Sequence, residues 1–153
     1  MNIMDNRFLN KTLGKKTLFI EAPTLTKDKV LEFVKKNKVT RCFCLSPIDY
    51  TQSKYPSETN QREFYWDSLC LYLKLVKLGI KVIPHIHLNK DCSYEEAKNK
   101  IQRTLTIFWI MKACTDEIYP GWHIKSPVFK KICKELSLKI PKKMFHYYDF
   151  WIE

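Results

Sequence analysis

The sequence predicts an α/β fold of alternating strand and helix units, with a mainly parallel sheet of about five strands. Three observations predict it. Short apolar runs of strand length alternate with longer segments that carry apolar residues at helical spacing. Proline, glycine and capping residues fall at the borders between them. No internal repeat or linker divides the 153 residues, which is the length of one ordinary domain. Strand-helix alternation builds right-handed βαβ units whose helices cover the sheet. A complete eight-unit barrel needs about 250 residues, so the expected architectures are a reduced or distorted (β/α) barrel and an open three-layer sheet, in a single domain over 1–153.

Residues 1–15 form a polar lead-in. Thr17-Leu18-Phe19-Ile20 reads as the first strand, stopped at Glu21-Ala22-Pro23. Thr26 caps a helix through Asn37, with Val30, Phe33 and Val34 inward. Arg41 to Leu45 is the second strand, ended by Ser46-Pro47. Residues 48–61 read as a long polar loop, the kind that often carries function. A helix then runs from about Arg62 to Leu78 on Leu69, Tyr72, Leu73 and Val76, with Gly79 as its left-handed stop. Ile80 to His87 is the third strand. Ser93 and Glu96 form a capping box that opens a helix to about Lys112. Glu117 to Tyr119 is a weak fourth strand, and Ser126-Pro127 starts a helix to about Leu136. Met144 to Trp151 is the last strand.

Residues 1–16 lack the apolar core of a signal peptide, and the most apolar run, Thr104 to Ala113, is far shorter than the roughly 20 residues that span a bilayer. A cytoplasmic protein without membrane contact is expected. Four of the six cysteines (Cys42, Cys44, Cys70, Cys133) fall inside apolar patterns, which predicts reduced, mostly buried thiols. The formal net charge of +11 favours anionic partners such as nucleic acid. The excess is lysine dispersed over helix faces, which equally describes a solvated surface.

In parallel α/β folds, binding groups collect just past the carboxyl ends of the strands. Glu21 follows the first strand, Asp49 the second, and His85, His87 and Asp91 end the third. His123, with Trp122 beside it, follows the fourth, and His146 and Asp149 lie in the last. Side chains at i and i+2 of a strand share a face, so Pro84-His85-Ile86-His87 can present two imidazoles to one cation. Zinc and similar divalent ions accept imidazole nitrogen together with carboxylate oxygen, here from Asp91, Asp49 or Glu21. Pro84 removes a ladder donor and implies an edge, a bulge or an early strand end. His123 or His146 could approach as a third ligand or a general acid, and Asp149 could orient one of them. Cys42-x-Cys44 without a second thiol pair reads as core packing. No P-loop, dinucleotide fingerprint or nucleophile elbow is present.

The order of segments resembles the polysaccharide deacetylase family, metal-dependent hydrolases on a distorted parallel barrel. The likeness rests on Phe19-Ile20-Glu21-Ala22-Pro23, on the glycine-led strand Gly79 to His87, on the helix after it, and on Tyr119-Pro120-Gly121-Trp122. It implies a metal at His85 and His87, or at His87 with Asp91, an acidic role for Glu21 and a late acid at His146. Where the family carries two adjacent aspartates this chain has Glu21 alone, and where a second histidine is expected four residues after His87 it has Asp91. The resemblance therefore implies either hydrolysis of acyl groups on carbohydrate, with Glu21 or Asp49 as base, or a degenerate relative. The alternative from a different class is a non-catalytic basic module that holds nucleic acid or another polyanion through lysines and the aromatics Tyr55, Tyr65 and Trp66.

Overall fold

A computed structural model describes residues 17–20, 23–48, 58–88, 91–120 and 126–140. Three strands form a parallel sheet in sequential order: β1 (Thr17–Ile20), β2 (Arg41–Leu45) and β3 (Lys81–His85). The register sets Leu18 beside Cys42 and Cys42 beside Val82, and sets Leu45 beside His85. The helices are α1 (Pro23–Lys36), α2 (Glu58–Lys77), α3 (Tyr94–Ile110) and α4 (Pro127–Glu135). Ser93 and Ser126 cap α3 and α4 by accepting from the N–H of Glu96 and Phe129, as their spacing implied.

Alternate strand residues face opposite sides of the sheet, and the two sides differ. Leu18, Ile20, Cys42, Cys44 and Val82 pack with Val30 and Val34 of α1, Leu71, Tyr72 and Leu75 of α2, and Phe108 of α3. Ile86 and Ile118 continue that side against Ala97 and Ile101 of α3 and Phe129, Ile132 and Cys133 of α4. All four helices therefore lie on one face. The other face holds Phe43, Ile83 and Tyr119, buried to 1% exposure or less, with the half-buried Cys114 against them. Over the described residues the molecule has two layers, not three.

The fourth strand expected at Glu117 to Tyr119 is reduced to isolated parallel bridges, His85 with Tyr119 and Glu117 with Lys139. The cause is legible in the backbone. Val82 O accepts from Cys114 N and Pro84 O from Tyr119 N, so five residues of chain span two of β3 and the intervening loop swings away. Pro84 has no N–H to offer that edge, and Pro120 has none beyond it. Instead Glu117 turns to the amino ends of the strands, where its carboxylate joins Arg41 at 2.7 Å and Lys81 at 2.9 Å. The strand expected at Met144 to Trp151 lies outside the described residues.

Cys70, expected inside, is exposed on the outer side of α2, because one residue of helical rotation separates it from buried Leu71. All six cysteines are free thiols. Among the described residues no helix is long and apolar enough to cross a membrane.

Candidate functional site

The carboxyl end of β3 carries the two neighbouring histidines singled out in the sequence. The strand ends at His85, two residues sooner than the expected Ile80 to His87. Even so, the His85 and His87 rings remain neighbours, 4.8 Å between centroids and edge to face at 60°. His85 is fully buried and His87 half-buried. On its other side His85 meets the Tyr119 ring at 5.3 Å, and Tyr119 meets Phe43 at 5.4 Å. A row of four rings thus crosses the sheet from the half-buried imidazole inward.

Two helices fix the backbone around this pair. Ser46 N–H donates to His85 O at 2.7 Å, one ladder step beyond β2. Its hydroxyl shares a 2.7 Å hydrogen bond with Thr104 of α3, both side chains being fully buried. The Tyr72 hydroxyl of α2 donates to Leu45 O at 2.6 Å, directly opposite His85 in the register. On the far edge Ile86 N–H donates to Tyr119 O at 3.0 Å. One turn earlier on α3 than Thr104, the Lys100 ammonium donates to the carbonyl of His87.

Beside this strand end lies an open groove of about 940 Å³ between α2 and the outer side of α3. Ile48 and Tyr65 line one side of it. Lys98, Lys100 and Arg103, interspersed with Glu95, Glu96, Asn99 and Gln102, line the other. Lys98 is engaged with Glu135 of α4 at 3.2 Å and with the Tyr94 hydroxyl at 3.3 Å. That hydroxyl, bonded to Glu135, holds the Glu135 carboxyl below the usual carboxylate range. Glu135 in turn pushes the Tyr94 phenol above its ordinary value.

Of the residues singled out in the sequence, the structure brings His85 and His87 together. Asp91 is exposed in the turn before α3, and among the described residues no set of three His, Cys, Asp or Glu side chains converges as metal ligands. Glu21, Asp49, Trp122, His123, His146 and Asp149 lie outside the described residues, as does Tyr55. Trp66 is exposed at 62%. The Cys42 and Cys44 thiols are pushed up by complete burial, which favours the protonated, non-ligating form and fits core packing. Tyr72 was read only as part of the apolar stripe of its helix and Ser46 only as the stop of β2; Lys100 and Thr104 were not foreseen, and only their helical spacing, which aligns both on one side of α3, marks them in the sequence. In comparison with known proteins, no family model matches the chain, and no curated protein or solved structure does so either.

Proposed function

We propose that the chain is a metal-dependent hydrolase whose cation is held by His85 and His87 at the carboxyl end of β3. The observation that carries this reading is the spacing of the two rings. Imidazoles that share one zinc through nitrogens about 2.0–2.1 Å from it stand roughly 4.5–5.5 Å apart between centroids, and the observed 4.8 Å falls within that span. The position agrees with where parallel α/β folds keep their chemistry. Glu21 and Asp49, which follow β1 and β2, are the carboxylates proposed to complete the site, with one of them as general base and His146 as general acid. A divalent cation there supplies Lewis acidity toward an acyl carbonyl and acidifies water. The chain's own part is to present a buried imidazole at the end of β3 and a half-buried one just past it, and to exclude solvent from behind them with Tyr119 and Phe43. Sequential strands with the described helices on one face are compatible with the winding of a reduced (β/α) barrel, and the resemblance to polysaccharide deacetylases supplies the substrate class, acyl groups on carbohydrate.

Metal analysis of the purified protein tests this. Near-stoichiometric zinc or another divalent ion is expected, lost in the His85→Ala/His87→Ala variant; a wild-type protein that binds no divalent ion at micromolar concentration sinks the reading.

A second reading is a basic module for a polyanion, for which Arg103 stands beside Tyr65 in the groove, while Lys98 and Lys100 line it already engaged with Glu135 and the His87 carbonyl. Oligonucleotide binding that weakens steeply with salt, and weakens further in Arg103→Ala, is expected from it; salt-insensitive failure to bind removes it.

A further inference from the structure

We infer that Lys100 is a positioning residue for the imidazole pair, acting through the carbonyl of His87. The inference begins with the β2–β3 ladder. Along it, Lys81 N–H donates to Thr40 O at 2.9 Å and Ser46 N–H donates to His85 O at 2.7 Å, so odd-numbered residues of β3 face β2. Continued by the same alternation, the ladder next brings the His87 carbonyl to face β2. There β2 has already ended. Pro47 and Ile48 form a short helical turn, and the chain leaves the sheet. At this carbonyl the Lys100 ammonium donates from α3.

The consequence is geometric. His85 is held by the register with Leu45 and by the bond from Ser46, whereas His87 lies past the end of the strand. A charge-assisted hydrogen bond to its own carbonyl fixes the peptide from which its ring projects. Lys100 is only half-buried, yet it stands four residues before Thr104, whose buried hydroxyl pins α3 to Ser46 at 2.7 Å. The helix that carries the lysine is therefore itself anchored to the end of β2. Lys100 also lines the groove, so one side chain belongs to both the groove wall and the support of the imidazole pair.

The effect on cation binding rests on the metal reading above; the effect on ring position does not. Histidine ring NMR of the metal-free protein reads position directly. Lys100→Met is expected to shift and broaden the His87 ring signals while leaving those of His85, and the thermal midpoint, close to wild type. Lys100→Arg, which keeps a cationic donor of similar reach, is expected to restore them. Where zinc binds the wild type, Lys100→Met lowers its affinity by about 10- to 100-fold, the loss typical of groups that orient metal ligands, and Lys100→Arg recovers most of it. Unchanged His87 signals in Lys100→Met overturn the inference, and so does a Lys100→Arg protein that is folded yet indistinguishable from Lys100→Met. A displaced His87 ring in a protein that binds no zinc leaves the positioning role standing and removes the hydrolase.

Discussion

Ser46 and Thr104 share one hydrogen bond in a region closed to solvent, and each is the other's hydroxyl partner across 58 residues of chain. Removing one hydroxyl strands its mate in an apolar setting, which costs about 1–3 kcal/mol, whereas removing both leaves nothing to desolvate. Thr104→Val and Ser46→Ala are each expected to lower unfolding stability by about that amount, and the double variant by clearly less than their sum, as measured by urea denaturation. The histidine pair was readable from the sequence because the chain has only four histidines, two of them separated by one residue. Lys100 was not, since it is one of 27 basic residues and its partner is a backbone carbonyl that only the early end of β2 exposes. Strand alternation gave a sound reason to expect the two rings on one side. The rings meet even though β3 ends at His85, so the contact depends on the backbone beyond the strand as well as on its pleat.

Each of the four described helices ends in the same way. A residue with positive φ follows the last turn, at Lys38 (51°), Gly79 (80°), Lys112 (58°) and Ser137 (54°). The next N–H then reaches back to a carbonyl five residues earlier, from Val39 to Val34, Ile80 to Leu75, Ala113 to Phe108 and Leu138 to Cys133. These are Schellman stops, and the residues so joined pack together in the core on the helix-covered side. Gly79 marks its stop in the sequence, while lysine and serine do not, which is why three of the four endings carried no signal of their own. An L-residue in this conformation costs about 1–2 kcal/mol and glycine's extra chain entropy about 0.5–1 kcal/mol. Lys112→Gly is therefore expected to stabilise the protein by roughly 0.5–1 kcal/mol, and Gly79→Ala to destabilise it although nothing beyond the two adjoining residues lies within 4 Å of the added carbon. Thermal or urea unfolding of the two variants checks both signs.

Across the whole molecule, the alternation of strand and helix segments was legible because hydrophobic period and capping residues agree along the chain. The width of the sheet was not. Pro84 gave warning of an interrupted edge, but the loop from Cys114 to Tyr119 that answers it depends on which acceptors β3 leaves open. The net charge of +11 is a property at this scale too, and self-repulsion among like charges opposes the compact state. Raising ionic strength from a few millimolar to about 0.15 M, where the screening length falls to about 8 Å, is expected to raise the thermal midpoint measured by circular dichroism. A midpoint that falls with salt would instead assign the greater weight to attractive ion pairs such as those of Glu117.

The sequential strand order has a last consequence, for assembly. β2 pairs with β1 and β3 with β2, and the bridges at Tyr119 and Lys139 continue outward, so no described strand must wait for a later one to be inserted between it and its predecessor. A nascent chain leaving the ribosome amino end first can add each unit to a template already in place, each new strand being returned beside its predecessor by its own helical crossover.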